Sequence, residues 1–145
     1  MTLPEERERC VCSVLRQASR QVTRLYDEAL AGSGLRITSY SVLATLDRMD
    51  APLVSELAEA QAMDRTTLTR ALSPLLAQGL ARLRVGSDRR RRHVELTARG
   101  RRALVRAYPA WCAAQAEFAA RFGSRSAERL VALCGASVNA AQAPA

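Results

Sequence analysis

The chain has 145 residues, 48% of them hydrophobic and 25% charged, with a formal net charge of +8. That apolar share excludes a disordered chain, and the length suffices for one compact domain with attached helices. No stretch of about 18 apolar residues runs free of charge, and the N-terminus lacks the basic-then-apolar order of a secretory signal, so a cytoplasmic protein is expected.

From Glu5 to Ala31 the apolar residues Val11, Leu15, Ala18, Val22, Leu25 and Ala29 step by four and three. This spacing predicts an amphipathic helix with a near-heptad seam, ended by Gly32 and Gly34 and in need of a packing partner, for which a second copy of the chain is one candidate. A second helix is expected from about Thr38, as its N-cap, to Arg48, burying Tyr40, Leu43 and Leu46. Asp50-Ala51-Pro52 reads as a turn, and Val54 to Ala60 as a short helix with Leu57 and Ala58 inward. Asp64 is placed to cap a further helix with the stripe Leu68, Leu72, Leu75 and Leu76, stopped by Gly79. Pro74 lies deep inside it and predicts a kink or a loosened turn.

Leu80 to Arg84 and His93 to Leu96 read as two short strands around a charged hairpin tip. Thr97 caps a long helix to about Phe122, bent at Pro109, with Trp111, Ala114, Phe118 and Phe122 on one stripe. Gly123-Ser124 breaks the chain before a last helix carrying Leu130, Val131 and Cys134. The alanine-rich tail from Asn139 is expected to fray.

All 22 basic residues are arginine, and they are unevenly placed. Residues 65 to 106 hold 12 arginines against two acids, Asp88 and Glu95, a local balance of +10; the remainder balances at −2. A basic segment in a near-neutral body points to a polyanion, most often nucleic acid, although charge alone fits a solvated face equally well. The order of elements decides between them. Helix, short helix, tight turn, helix and basic hairpin form a winged helix-turn-helix, mainly α with a small β-hairpin wing. Its second helix would present Arg65, Thr66, Thr67, Thr69 and Arg70 to a major groove, where arginine forks onto guanine and threonine meets phosphates or thymine methyls. The wing, with Asp88, Arg89, Arg90, Arg91 and Arg92, would lie along the adjacent minor groove or its phosphates.

Several segments resemble the MarR-type repressors: Leu57-Ala-Glu-Ala, Met63-Asp-Arg-Thr-Thr-Leu-Thr-Arg, Leu75-Leu-Ala-Gln-Gly-Leu, and Asp88-Arg-Arg followed by Val94-Glu-Leu-Thr-Ala-Arg-Gly. The resemblance covers roughly residues 10 to 120. It implies a homodimer in which the first and last helices interlock and two winged domains read a pseudo-palindromic operator. It also implies that Asp88 orients the wing and that Arg90, with Arg89, reaches the minor groove. The chain would then divide into a dimerisation helix (1–34), a winged helix-turn-helix (35–97) and C-terminal dimerisation helices with a tail (98–145). Two departures stand out. Relatives often carry glycine where this chain has Ala62, and a left-handed alanine there costs on the order of 1–2 kcal/mol. The wing also looks about one residue shorter than in common members.

The resemblance implies a sensor as well. In the common case a small aromatic or phenolic ligand releases the DNA, and Arg16, Arg20, Tyr26 and Tyr40 are candidate pocket residues. The first helix is also similar to the organic-hydroperoxide-sensing branch, in which a cysteine matching Cys12 is oxidised beside tyrosines. Tyr26 matches one of these; Arg16 stands where another would be. Four cysteines, Cys10, Cys12, Cys112 and Cys134, lack zinc-finger spacing, and helical residues two apart point about 200° from each other, so neither a metal nor a cofactor is expected. Small buried hydrophobes are the plainer reading of the thiols. The lone His93 has no acid-base partner, which disfavours an enzyme. A winged helix that binds a protein instead of DNA is the remaining alternative.

Overall fold

A computed structural model describes residues 10–88 and 91–142. Helix α1 (Val11–Leu30) has two unlike halves. Residues 11–20 are all exposed, whereas Tyr26 and Leu30 turn into the core. The expected start at Glu5 lies outside the described residues. Ala31–Ser33 forms a short 3-10 turn that Gly34 closes at φ +77, a left-handed conformation suited to glycine.

Helix α2 (Ile37–Arg48) starts two residues earlier than a Thr38 cap implies, with Arg36 at the N-cap position. The Asp27 carboxylate of α1 accepts from the Ile37 backbone N–H at 2.8 Å and pairs with Arg36 at 3.3 Å. A carboxylate ten residues upstream thus satisfies an orphan donor, which only the folded chain can bring there. Helix α3 (Val54–Ala60) begins where Glu56 accepts from the Leu53 N–H at 2.7 Å. Helix α4 (Arg65–Ala77) is capped as expected by Asp64, which accepts from Thr67 N–H at 2.7 Å, and the helix continues through Pro74. Gly79, at φ +66, ends it, with the Leu80 N–H bonded to the Leu75 carbonyl at 2.8 Å.

Strands β1 (Ala81–Val85) and β2 (Arg92–Leu96) pair antiparallel, with Arg82 opposite Glu95 and Leu83 opposite Val94. β1 begins one residue later than expected, because Leu80 serves the next junction instead, and β2 one residue earlier, because Arg92 pairs with Val85. Its carbonyl accepts from the Thr97 N–H at 3.1 Å and the Thr97 hydroxyl at 3.0 Å. Thr97 caps helix α5 (Ala98–Phe122) by accepting from the Gly100 N–H at 3.0 Å. Gly100 is required there, since an added Cβ would lie 2.0 Å from the Leu80 oxygen. Helix α6 (Ser124–Gln142) follows Gly123 at φ +92. It keeps residues 139–142 helical where fraying was expected, because alanine and glutamine favour helix; the last three residues lie outside the described ones.

The core is one cluster in which Leu30, Val42, Leu43, Leu57, Leu68, Leu75 and Val94 are fully buried. It joins α2, α3, α4 and the wing to the ends of α1 and α5. By contrast α6 buries none of its residues, and Val11, Val14, Val131 and Leu133 stay exposed. Among the described residues no helix is long and apolar enough to cross a membrane.

Candidate nucleic-acid interface

The leucine stripe of α4 faces the core and leaves Arg65, Thr66, Thr67, Thr69 and Arg70 exposed on the other side. Two threonine hydroxyls are already engaged. Thr67 donates to Asp64 at 3.0 Å, and Thr69 to the Arg65 carbonyl at 2.8 Å. These two residues therefore offer methyl groups and oxygen lone pairs outward, while Thr66 keeps a hydroxyl donor. Bonds from the Thr67 N–H, then its hydroxyl, hold the Asp64 carboxyl below the usual carboxylate range.

The turn before α4 is strained and braced. Ala62 has φ +49, the left-handed conformation that its position suggested. Ala51, before Pro52, is a second positive-φ alanine, at +46. Beside Ala62, the Gln61 side-chain amide donates to the Thr45 hydroxyl at 2.6 Å and accepts from the Ser41 hydroxyl at 3.2 Å. The turn is thereby tied to α2, and buried Thr45 gains a partner.

The wing stands beside α4. Arg65 of α4 and Arg92 of β2 line the same two grooves, of about 520 and 500 Å³, and Arg91 joins them in the first. At the hairpin tip, Arg91 N–H bonds the Asp88 carbonyl at 3.0 Å. Arg89 and Arg90 lie outside the described residues. His93 is structural: its Nδ1 contacts the Ala51 carbonyl oxygen at 2.7 Å, and the Val94 N–H bonds Pro52 at 2.9 Å, so the α2–α3 turn is laced to the wing. Arg82, Arg84 and Glu95 form a cluster on the wing that the sequence reading passed over. Alternation of Arg82-Leu83-Arg84 was the available signal; the pairing with Glu95 needed the strand register.

The expected sensor residues are dispersed along one protomer. The Tyr26 hydroxyl donates to Gln115, and the ring lines an apolar groove of about 570 Å³ between α1, α5 and α6, with Val22, Phe118 and Cys134. Burial pushes the Tyr26 hydroxyl pKa up. Tyr40 is buried on α2, its ring stacked on Trp111 at 5.8 Å, and Trp111 stacks on Tyr108 at 5.9 Å. Arg16 and Arg20 stand on the exposed half of α1. Cys10 and Cys12 are exposed, Cys112 and Cys134 half-buried, and all four are free thiols. Fourteen residues of helix separate Cys12 from Tyr26, about 21 Å, so the two cannot touch within one chain. Among the described residues no group of histidine, cysteine, aspartate or glutamate could hold a metal.

An exposed helix-turn-helix face flanked by an arginine-bearing hairpin defines a winged-helix, DNA-binding class of protein. A family model described as the MarR family matches residues 33–91. The chain is 40% identical to the Mycobacterium tuberculosis transcriptional regulator MosR, solved in complex with DNA, over 92% of this chain and 99% of that one, with a TM-score of 0.79. Two more distant structures share the fold. An Escherichia coli MarR mutant, solved with operator DNA, is 18% identical over 93% and 99% of the two chains, with a TM-score of 0.80. CouR from Rhodococcus jostii, solved with p-coumaroyl-CoA, is 20% identical over 86% and 88%, with a TM-score of 0.73. No curated protein matches the sequence. The chain belongs to the MarR family of transcriptional regulators, which bind DNA and are not enzymes.

Proposed function

We propose that this regulator is a homodimeric repressor that binds a pseudo-palindromic operator and is released by a small aromatic or phenolic ligand. The observation that carries the DNA contact is the shared groove in which Arg65 of the recognition helix and Arg92 of the wing converge. Arg65, Thr66, Thr67, Thr69 and Arg70 read or brace the major groove. Arg91 and Arg92, with Arg89 and Arg90, follow the minor groove, and Asp88 orients the tip. Residues 35–97 form the DNA-binding unit, residues 1–34 carry the N-terminal dimerisation helix, and residues 98–145 the C-terminal dimerisation helices and a tail. The exposed Val11, Val14, Val131 and Leu133 support that division, since a second copy would cover such apolar helix faces. The site of action is the cytoplasm, where operator DNA lies. Arg16, Arg20, Tyr26 and Tyr40 assemble a ligand site only if the second subunit completes it, because one chain holds them apart.

Anisotropy titration against DNA upstream of the protein's own coding sequence tests the core of this reading. Specific binding should weaken in Arg65→Ala and fall steeply with salt. Absence of salt-dependent binding would instead favour a protein-binding winged helix. A second reading, oxidation of Cys12 by an organic hydroperoxide, rests on the resemblance of the first helix, and Cys12 is an exposed free thiol in the single chain. Equal operator release by hydroperoxide in the parent and in Cys12→Ser eliminates Cys12 as a trigger. Release by aromatic acids but not by peroxide supports the ligand.

A further inference from the structure

Glu95 is one of only two acids in the most basic stretch of the chain, and its carboxylate is divided between two arginines. Its Oε2 accepts a hydrogen bond from the Arg82 Nε–H at 2.7 Å, and its Oε1 is ion-paired with the Arg84 Nε at 2.7 Å. The register explains the geometry: Arg82 lies directly opposite Glu95, and Arg84, two residues on, is its diagonal neighbour on the same face. That face is the outer one. Ala81 and Val94 alternate with it toward the core, and Leu83 and Arg92 line the groove against α4.

Both arginine side chains stay mostly exposed, 70% and 62%, whereas the Glu95 side chain is only 15% exposed. The pairs run through Nε, so the terminal nitrogens, which carry no other contact among the described residues, remain able to grip a second acceptor. A free arginine side chain would lose considerable rotamer entropy on making such a contact; one already held at Nε loses less.

We infer that Glu95 is a positioning residue that presents Arg82 and Arg84 as a pair of contacts to DNA backbone phosphates on the side of the wing away from the recognition helix. The inference rests on the DNA-binding reading above. With α4 in a major groove and the hairpin in the neighbouring minor groove, the outer face of the wing turns toward the far phosphate strand, where Arg82 and Arg84 extend the contact surface. This explains why an acid sits on a face otherwise built to attract DNA.

The two roles open to Glu95 have opposite signs, which makes the test decisive. If Glu95 only dilutes positive charge, Glu95→Gln binds DNA more tightly. If it positions the arginines, Glu95→Gln binds operator on the order of three- to tenfold more weakly despite its added positive charge. Anisotropy titrations over a salt series should compare the parent, Glu95→Gln, Arg82→Ala/Arg84→Ala and the triple variant. The double arginine variant should lose affinity, with a salt slope shallower by about 3.6 for the four phosphates that two subunits would contact. Adding Glu95→Gln to it should cost nothing more, because there is then nothing to position. A general structural defect would persist in that background and overturn the inference. So would a parent that binds operator while Glu95→Gln binds equally or better. A parent that binds no DNA overturns the DNA-binding reading itself and this inference with it. Arg84→Lys, which keeps the charge but loses the fork, is the second variant should Glu95→Gln fold poorly, and it should also weaken binding; unchanged binding counts against the pair.

Discussion

Replacing Ala62 by glycine should stabilise the protein. The residue sits at φ +49 in the turn between α3 and α4 and is exposed, so its methyl group contributes little packing. An L-residue in that conformation carries about 1–2 kcal/mol of steric cost, which glycine does not. Glycine also gives the unfolded chain more freedom, which offsets about 0.4–1 kcal/mol of the gain. The net expectation is about 0.5–1 kcal/mol in favour of Ala62→Gly, or a rise in Tm of about 2–4 °C for a chain of this size. The bonds that close the turn, Ala62 N–H to Glu59 and Met63 N–H to Ala58, each at 2.9 Å, do not involve the side chain and should persist. Urea unfolding at fixed protein concentration measures the difference, the concentration being held because association shifts apparent stability. Gly79→Ala is the mirror control: φ is +66 and an added Cβ meets nothing within 4 Å, so its expected loss of about 1 kcal/mol is purely a backbone effect. An Ala62→Gly variant no more stable than the parent, beside a destabilised Gly79→Ala, would refute the strain argument.

Three further outcomes follow from particular contacts. Gly100→Ala drives a Cβ to 2.0 Å from the Leu80 carbonyl and must push α5 off the end of α4, at a cost of about 3 kcal/mol; a midpoint close to the parent's in urea would contradict this. Gln61→Leu removes the brace to Ser41 and Thr45 and should cost about 1–3 kcal/mol, with weaker operator binding as the turn loosens. In a Thr45→Val background the same change should cost less, and equal losses in both backgrounds would show the two residues to be uncoupled. The Asp64 carboxyl titrates below its ordinary value when folded, so its contribution is present above the unfolded pKa and fades as pH falls through the lowered native one. The stability gap between the parent and Asp64→Asn should therefore narrow on acidification through the carboxylate range; a gap independent of pH would mean that the charge adds nothing to the cap.

Much of the fold was legible because its signals are local. The Asp64 cap, the leucines of α4, Gly79 and the Thr97 cap each depend on residues within a turn of one another, and each stands where the spacing placed it. The recognition face follows from that stripe, because residues off the buried side of a helix must face outward. Ala62 was legible only through the resemblance, since relatives carry glycine at that turn position and glycine marks a left-handed residue. What escaped notice depends on distance along the chain. Asp27 caps α2 across ten residues, Gln61 reaches back 16 to Thr45, and Glu95 meets Arg82 across 13. Periodicity carries no information about such pairs, because they form only when whole elements dock.

The order of elements, the outward face of α4 and the +10 segment that contains the wing were determined by the sequence alone, since hydrophobic period, caps and charge are properties of neighbouring residues. Tertiary structure decided which arginines work together. It brought Arg65 to Arg92 in one groove and joined Arg82 and Arg84 through Glu95. The physical reason is that a charge acts through space: its partner is set by strand register and helix packing, which bring together residues that the chain itself keeps far apart.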